Sequence, residues 1–176
     1  MIQLLRKNSK LIRPLLLLFL SSSALALPTD RQRPLFVNSK HWEYNYKTGI
    51  SINTGNVVAD QGTSHLTADK VITYHDQHDE VTKVIAFGNP AHYSTILDFN
   101  TPTLYTQANT IAFFPQQNHI TLKGNALAQR GVDSVAAPTI TYDISQKRML
   151  TDAPPPQISH IVIVNKPNNP QPQGLT

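Results

Sequence analysis

There is no cysteine among the 176 residues. Disulfides and thiol chemistry are therefore excluded, and the fold must hold by burial and strand pairing alone. After residue 27 no window keeps a helical period, so helical architectures are set aside. The chain lacks a Gly-rich loop ending in Lys-Ser/Thr, and with it a nucleotide-phosphate cradle. It has no Gly-x-Ser-x-Gly elbow and no pair of acids placed for glycoside hydrolysis. No catalytic residue and no cofactor is expected. A basic stripe with interleaved aromatics is missing too, which argues against nucleic acid.

The N-terminus carries Arg6, Lys7, Lys10 and Arg13 without an acid, then the apolar run Leu15 to Leu20, then Ala24-Leu25-Ala26. This is the layout of a secretory signal peptide with a small-residue cleavage box, too short for a stable membrane span. Residues 1–26 are expected to be removed, leaving a chain that starts at Leu27. With no cysteine after the apolar run, a lipoprotein is excluded. The four lost cations account for the whole formal charge of +4, so the mature chain is neutral. The basic isoelectric point thus belongs to the leader and identifies no partner.

What the chain does have is a short repeat. Ala68-Asp69-Lys70-Val71-Ile72-Thr73-Tyr74, Ala108-Asn109-Thr110-Ile111-Ala112-Phe113-Phe114 and Ala137-Pro138-Thr139-Ile140-Thr141-Tyr142 are three copies. Ser39-Lys40-His41-Trp42-Glu43-Tyr44 is a weaker first one. The Gly-Asn pairs Gly55-Asn56, Gly88-Asn89 and Gly124-Asn125 lie between them. A strand-turn-strand unit cannot bury its apolar face alone, so the copies must stack. Strands are expected at 35–37, 50–54, 57–59, 66–74, 81–87, 91–96, 104–114, 120–123, 126–129, 139–144 and 158–164. The fold class is all-β: a roll, sandwich or barrel over residues 27–166, with a Pro/Asn/Gln tail at 167–176 that cannot repay its own ordering.

Strand side chains alternate, so aligning the copies gives two columns on one face. One is Trp42, Val71, Ile111 and Ile140. The other is Tyr44, Thr73, Phe113 and Tyr142. Between them stand Glu43, Ile72, Ala112 and Thr141, on the opposite face. An ordinary packed core and a lipid-holding interior both fit these columns. His75-Asp76-Gln77-His78-Asp79-Glu80 falls where a hairpin must turn and lacks a tetrahedral ligand set, so no metal is expected there. The first strand region, Leu35 to Trp42, and the last, Ile158 to Val164, are sheet edges. The last has no inward charge or proline to blunt it.

Gly55-Asn56-Val57-Val58-Ala59-Asp60-Gln61-Gly62-Thr63 followed by Leu66-Thr67-Ala68-Asp69-Lys70-Val71 resembles the OstA-like domain of the LptA family, periplasmic components of lipopolysaccharide transport. Gly88-Asn89-Pro90-Ala91, Leu122-Lys123-Gly124-Asn125-Ala126, Gly131-Val132-Asp133-Ser134 and Ile140-Thr141-Tyr142 extend the match from about Arg33 to Val164. Pro138 stands where the family more often has Asp, and the loop from Asp98 to Pro102 is this chain's own. Pro138, lacking a backbone donor, is expected at a strand start or edge.

The resemblance implies a single β-jellyroll, slightly open along one side, that receives the acyl chains of lipid A. It implies Leu35, Val37, Tyr44, Tyr93, Phe113 and Tyr142 as lining residues, with Trp42, Val71, Ile111 and Ile140 deeper. It also implies an LptC-like inner-membrane partner at the N-terminal edge (Leu35, Phe36, Val37) and an LptD-like outer-membrane partner at the C-terminal edge (Ile161, Val162, Ile163). Copies would self-associate head to tail in the periplasm, and an ATPase elsewhere would supply the energy. Two other readings remain: an envelope adaptor that joins proteins edge to edge without a ligand, and a carbohydrate-active β-solenoid enzyme.

Overall fold

The computed structural model describes residues 30–98 and 100–164. The expected signal peptide and tail lie outside them. After a 3-10 turn at Asp30–Gln32 come ten strands: β1 Leu35–Asn38, β2 His41–Asn45, β3 Ile50–Gln61, β4 Ser64–His75 and β5 Val81–Thr95. These are followed by β6 Leu104–Phe114, β7 His119–Arg130, β8 Asp133–Asp143, β9 Arg148–Asp152 and β10 His160–Val162. All belong to one antiparallel sheet in the order β1-β3-β4-β5-β6-β7-β8-β10, with β2 also on β3 and β9 also on β8.

The long strands each serve two halves of this sheet. β2 pairs with the start of β3 and β9 with the end of β8. β1 pairs with the end of β3 and β10 with the start of β8. A line of register shifts separates the halves, at Thr54/Val57, Thr67/Lys70, Phe87/Ala91, Gln107/Thr110 and Lys123/Ala126. The repeat noted in the sequence is this crease. Ala108 and Ile111 are both buried, as are Ala137 and Ile140, although each pair is three residues apart. In a regular strand an odd separation would put them on opposite faces; the extra residue of a bulge resets the alternation. The interior side of the crease holds Val57, Ala91, Ala108, Ala126 and Ala137, all buried. A sharply folded sheet at native packing density has room there for little more than a methyl group.

Two of the three Gly-Asn pairs, on β3 and β7, make the same bend through left-handed backbone. Gly55 and Asn56 have φ of +80° and +50°, and Gly124 and Asn125 have +75° and +51°. Asparagine tolerates this left-handed region and glycine enters it freely. A Cβ on Gly124 would also lie 2.9 Å from the Asn109 side-chain amide. Gly124→Ala is therefore expected to destabilise the fold by about 1–2 kcal/mol, read as a lower midpoint in chemical denaturation.

The architecture is a jellyroll that is not closed: among the described residues the end strands do not pair with each other. Some expectations need correction. The segments 50–54 and 57–59, 81–87 and 91–96, and 120–123 and 126–129 are single strands bent at the crease. β8 starts at Asp133, so Pro138 is inside it, at the gap between its two edge neighbours, β10 on 134–136 and β9 on 139–143. There its missing N–H costs no ladder bond. β9 went unforeseen because its five residues begin with Arg, end with Asp and show no alternation. β10 covers only 160–162, since the Val164 N–H leaves the ladder and donates to the Asp133 carboxylate, 3.0 Å.

Candidate functional site: an apolar interior and two open edges

The pairing register turns the two sequence columns into continuous rows across the first half. One row reads Trp42, Asn53, Val71, Ala86, Ile111, Leu122, Ile140, Thr151. The next reads Tyr44, Ser51, Thr73, Val84, Phe113, Ile120, Tyr142, Met149. The first row, beside the crease, is buried from Asn53 to Ile140. The second is half-buried apart from Ser51, which is buried. Burial thus falls away from the crease, and the Tyr44–Phe113–Tyr142 row is the accessible part of this interior. Partial burial pushes the Tyr142 phenol above its ordinary range.

On the second half the interior row is Val37, Ala59, Leu66, Tyr93, Thr106, Ala128, Val135, Ile161. It is more polar. The Tyr93 hydroxyl lies 3.1 Å from Ser64 Oγ, and Thr106 Oγ1 donates to the Tyr93 carbonyl at 3.0 Å. All ten expected lining residues therefore fall on interior rows: Leu35 at the outer end of β1, Val37 and Tyr93 here, the rest on the first half. Trp42 does not lie deep. It sits on edge strand β2, is 61% exposed, and donates from Nε1 to Ser51 Oγ at 3.0 Å.

Among the interior residues that escaped the sequence reading are Val84, Ile120, Met149, Leu66 and Val135, all packed against the core. The repeat compares only β2, β4, β6 and β8. Val84, Ile120 and Met149 sit on the strands between, which run the other way and have no aligned copy. Counting outward from the Gly-Asn creases would have found Val84 and Ile120.

The hairpin His75 to Glu80 is a turn, as expected. The Asp76 carboxylate accepts from the backbone N–H of His78 at 2.8 Å and of Glu80 at 3.0 Å. These bonds hold it below the usual carboxylate range. Tyr44 reaches over to donate to Asp79 at 3.0 Å and meets the Tyr46 and His75 rings edge-on. The Asp79 bond raises the Tyr44 phenol. Among the described residues no group of three or more His, Asp or Glu is placed to hold a metal.

Exposed large apolar side chains crowd the two edges. Leu35, Phe36 and Val37 are exposed on β1, and Ile158, Ile161, Val162, Ile163 and Val164 on and around β10. Ile163 lies just past the end of β10.

Residues 36–148 match the family described as LptA/(LptD N-terminal domain) LPS transport protein. The lipopolysaccharide export system protein LptH of Pseudomonas aeruginosa is 30% identical over 127 residues, 72% of this chain and 73% of that protein. The lipopolysaccharide export system protein LptA of Escherichia coli is 27% identical over 134 residues, 76% of this chain and 72% of that one. The crystal structure of LptH, called the LptA homologous periplasmic component of the lipopolysaccharide transport device, superimposes with a TM-score of 0.72 at 24% identity. It covers 78% of this chain and 100% of that one, and shares the fold. The creased sheet and the match over residues 36–148 agree: the chain belongs to the LptA/LptD N-terminal domain family of lipopolysaccharide transport proteins.

Proposed function

We propose that this chain is a periplasmic, non-catalytic bridge that shields the acyl chains of lipopolysaccharide and passes the molecule from the inner toward the outer membrane. One observation carries the reading. The interior rows run without interruption from one open edge of the sheet to the other, Tyr44 to Met149 in the first half and Val37 to Ile161 in the second. A neighbour that adds a strand at β1 or β10 would extend those rows, and β-augmentation needs only the unpaired backbone these edges present. The β1/β2 edge takes the inner-membrane partner and the β9/β10 edge the outer-membrane one, with further copies between them. Each methylene taken out of water contributes about 0.8 kcal/mol, so partial shielding of several acyl chains is worth many kcal/mol without any single strong contact. Weak contacts spread over a row also let a chain slide from one module to the next.

The test places a photo-crosslinking amino acid at Phe113 or at Phe114 in cells making lipopolysaccharide. Phe113 is on the interior row; Phe114 is on the opposite face, stacked on His119 with ring centroids 4.4 Å apart. A lipopolysaccharide adduct at position 113 and none at 114 is the expected result. No adduct at either position in folded protein would reject the lipid-holding interior and favour an adaptor that joins proteins by their edges.

A further inference from the structure

The outer face of the second half carries a feature that an acyl-chain carrier does not need. Two adjacent cross-strand rows, His65–Ser94–Tyr105–Gln129 and Thr67–His92–Gln107–Leu127, form a shallow depression of about 330 Å³. Tyr105 stands in its middle, 59% exposed. Two amides, Gln107 and Gln129, and two imidazoles, His65 and His92, surround the ring. None of the lining residues is Asp, Glu, Lys or Arg. The Asp60 carboxylate beside His65 is already engaged: its Oδ1 lies 2.6 Å from His65 Nδ1, which orients the imidazole and leaves Nε2 for a ligand.

This is the chemistry of a neutral polyol. A sugar ring has an apolar C–H face that lies against an aromatic side chain, and a rim of hydroxyls that both donate and accept. Side-chain amides do both, and an imidazole donates or accepts at its free nitrogen according to its tautomer. A phosphate group or an acidic peptide would find no fixed cation here. An apolar segment would leave the Gln107 amide unpaired, whereas the Gln129 amide already donates to the Gly131 carbonyl at 3.3 Å and offers its oxygen to a ligand. We propose that this saddle binds a neutral glycan segment. The proposal rests on the lipopolysaccharide reading above and deepens it, because it assigns the sugar portion of the cargo a site of its own. Position supports the match. His65, Tyr105 and Gln129 each lie one residue in from the strand end at this lip of the roll, about 3–4 Å along the strand.

The experiment titrates the isotope-labelled protein with the uncharged oligosaccharide fraction of the glycan freed from lipopolysaccharide by mild acid, with the acidic fraction as the comparison, and follows backbone amides by NMR. Shifts confined to Tyr105, Gln107, Gln129 and their strand neighbours are expected, with Tyr105→Ala and Gln129→Ala each weakening binding roughly tenfold. Both side chains are exposed, so both variants should keep the thermal midpoint of the parent. Shifts on the interior rows, or none, overturn the proposal, as do saddle shifts that follow protein concentration and so report a second copy. The Phe113 crosslink is read in parallel with Tyr105→Ala. If it persists while the glycan leaves the saddle unmoved, the saddle alone fails; if it is absent from the parent protein, the transport reading fails as well.

Discussion

Ile140→Ala is expected to lower folding stability by about 3 kcal/mol, a drop in thermal midpoint on the order of 10 °C for a domain of this size. Ile140 is 1% exposed and sits at the crease, between Leu122 on β7 and Thr151 on β9. The core around it is thin. Among the described residues six of the twelve buried apolar side chains are alanines, and Ile140 and Val57 are the largest that are wholly buried. Few large neighbours can collapse into the space a deleted isoleucine leaves, which puts the cost well above a bare transfer term. Ile72→Ala is the matched comparison. Ile72 removes the same atoms from the opposite face, where it is only partly covered between Ile52 and Ile85. It should cost roughly 1 kcal/mol or less. Equal losses at both positions would mean that the two faces are buried alike, and a larger loss at Ile72 would put the interior on the other side of the sheet.

That contrast also marks how far the sequence could be read. The spacing of Trp42, Val71, Ile111 and Ile140 was enough to place them in one row, because the repeat aligns every second strand and each copy starts at the same crease. The face they share followed from alternation alone. Depth did not. Trp42 occupies the same row as Ile140 but at its open end, and a residue's distance from an edge depends on strand order, which no local pattern carries. The same limit hid Met149. β9 is short and charged at both ends, and it is a strand only because β8 offers it a partner. Pro138 was misplaced for a related reason. Its fit within β8 depends on which strands flank it on the far side, a fact of tertiary structure. Gly55-Asn56 and Gly124-Asn125, by contrast, were visible as a pattern, and their φ values explain why those two residue types recur at the bend.

Edge charge should act on assembly and leave the monomer alone. Ile161 and Ile163 are exposed, at 59% and 73%, so Ile161→Lys with Ile163→Lys is expected to change monomer stability by no more than about 0.5 kcal/mol. If β10 receives β1 of the next copy, Ile161 meets the interior row of that copy at Val37. An unpaired ammonium buried there costs several kcal/mol, enough to weaken self-association by about a hundredfold or more. Sedimentation across a concentration series measures it, and an unchanged size distribution would rule out this edge. Mixing adds a second reading. A contact between unlike edges is heterologous and does not close on itself. The variant keeps an intact β1, so it can still add to the exposed β10 of a native copy and then stop growth. A small fraction of variant should therefore shorten native oligomers well beyond simple dilution. A contact of β10 with its own twin would behave otherwise: the variant would drop out and the native dimer would persist. The polarity of the bridge rests on this difference, because only unlike edges give a row of rolls one direction.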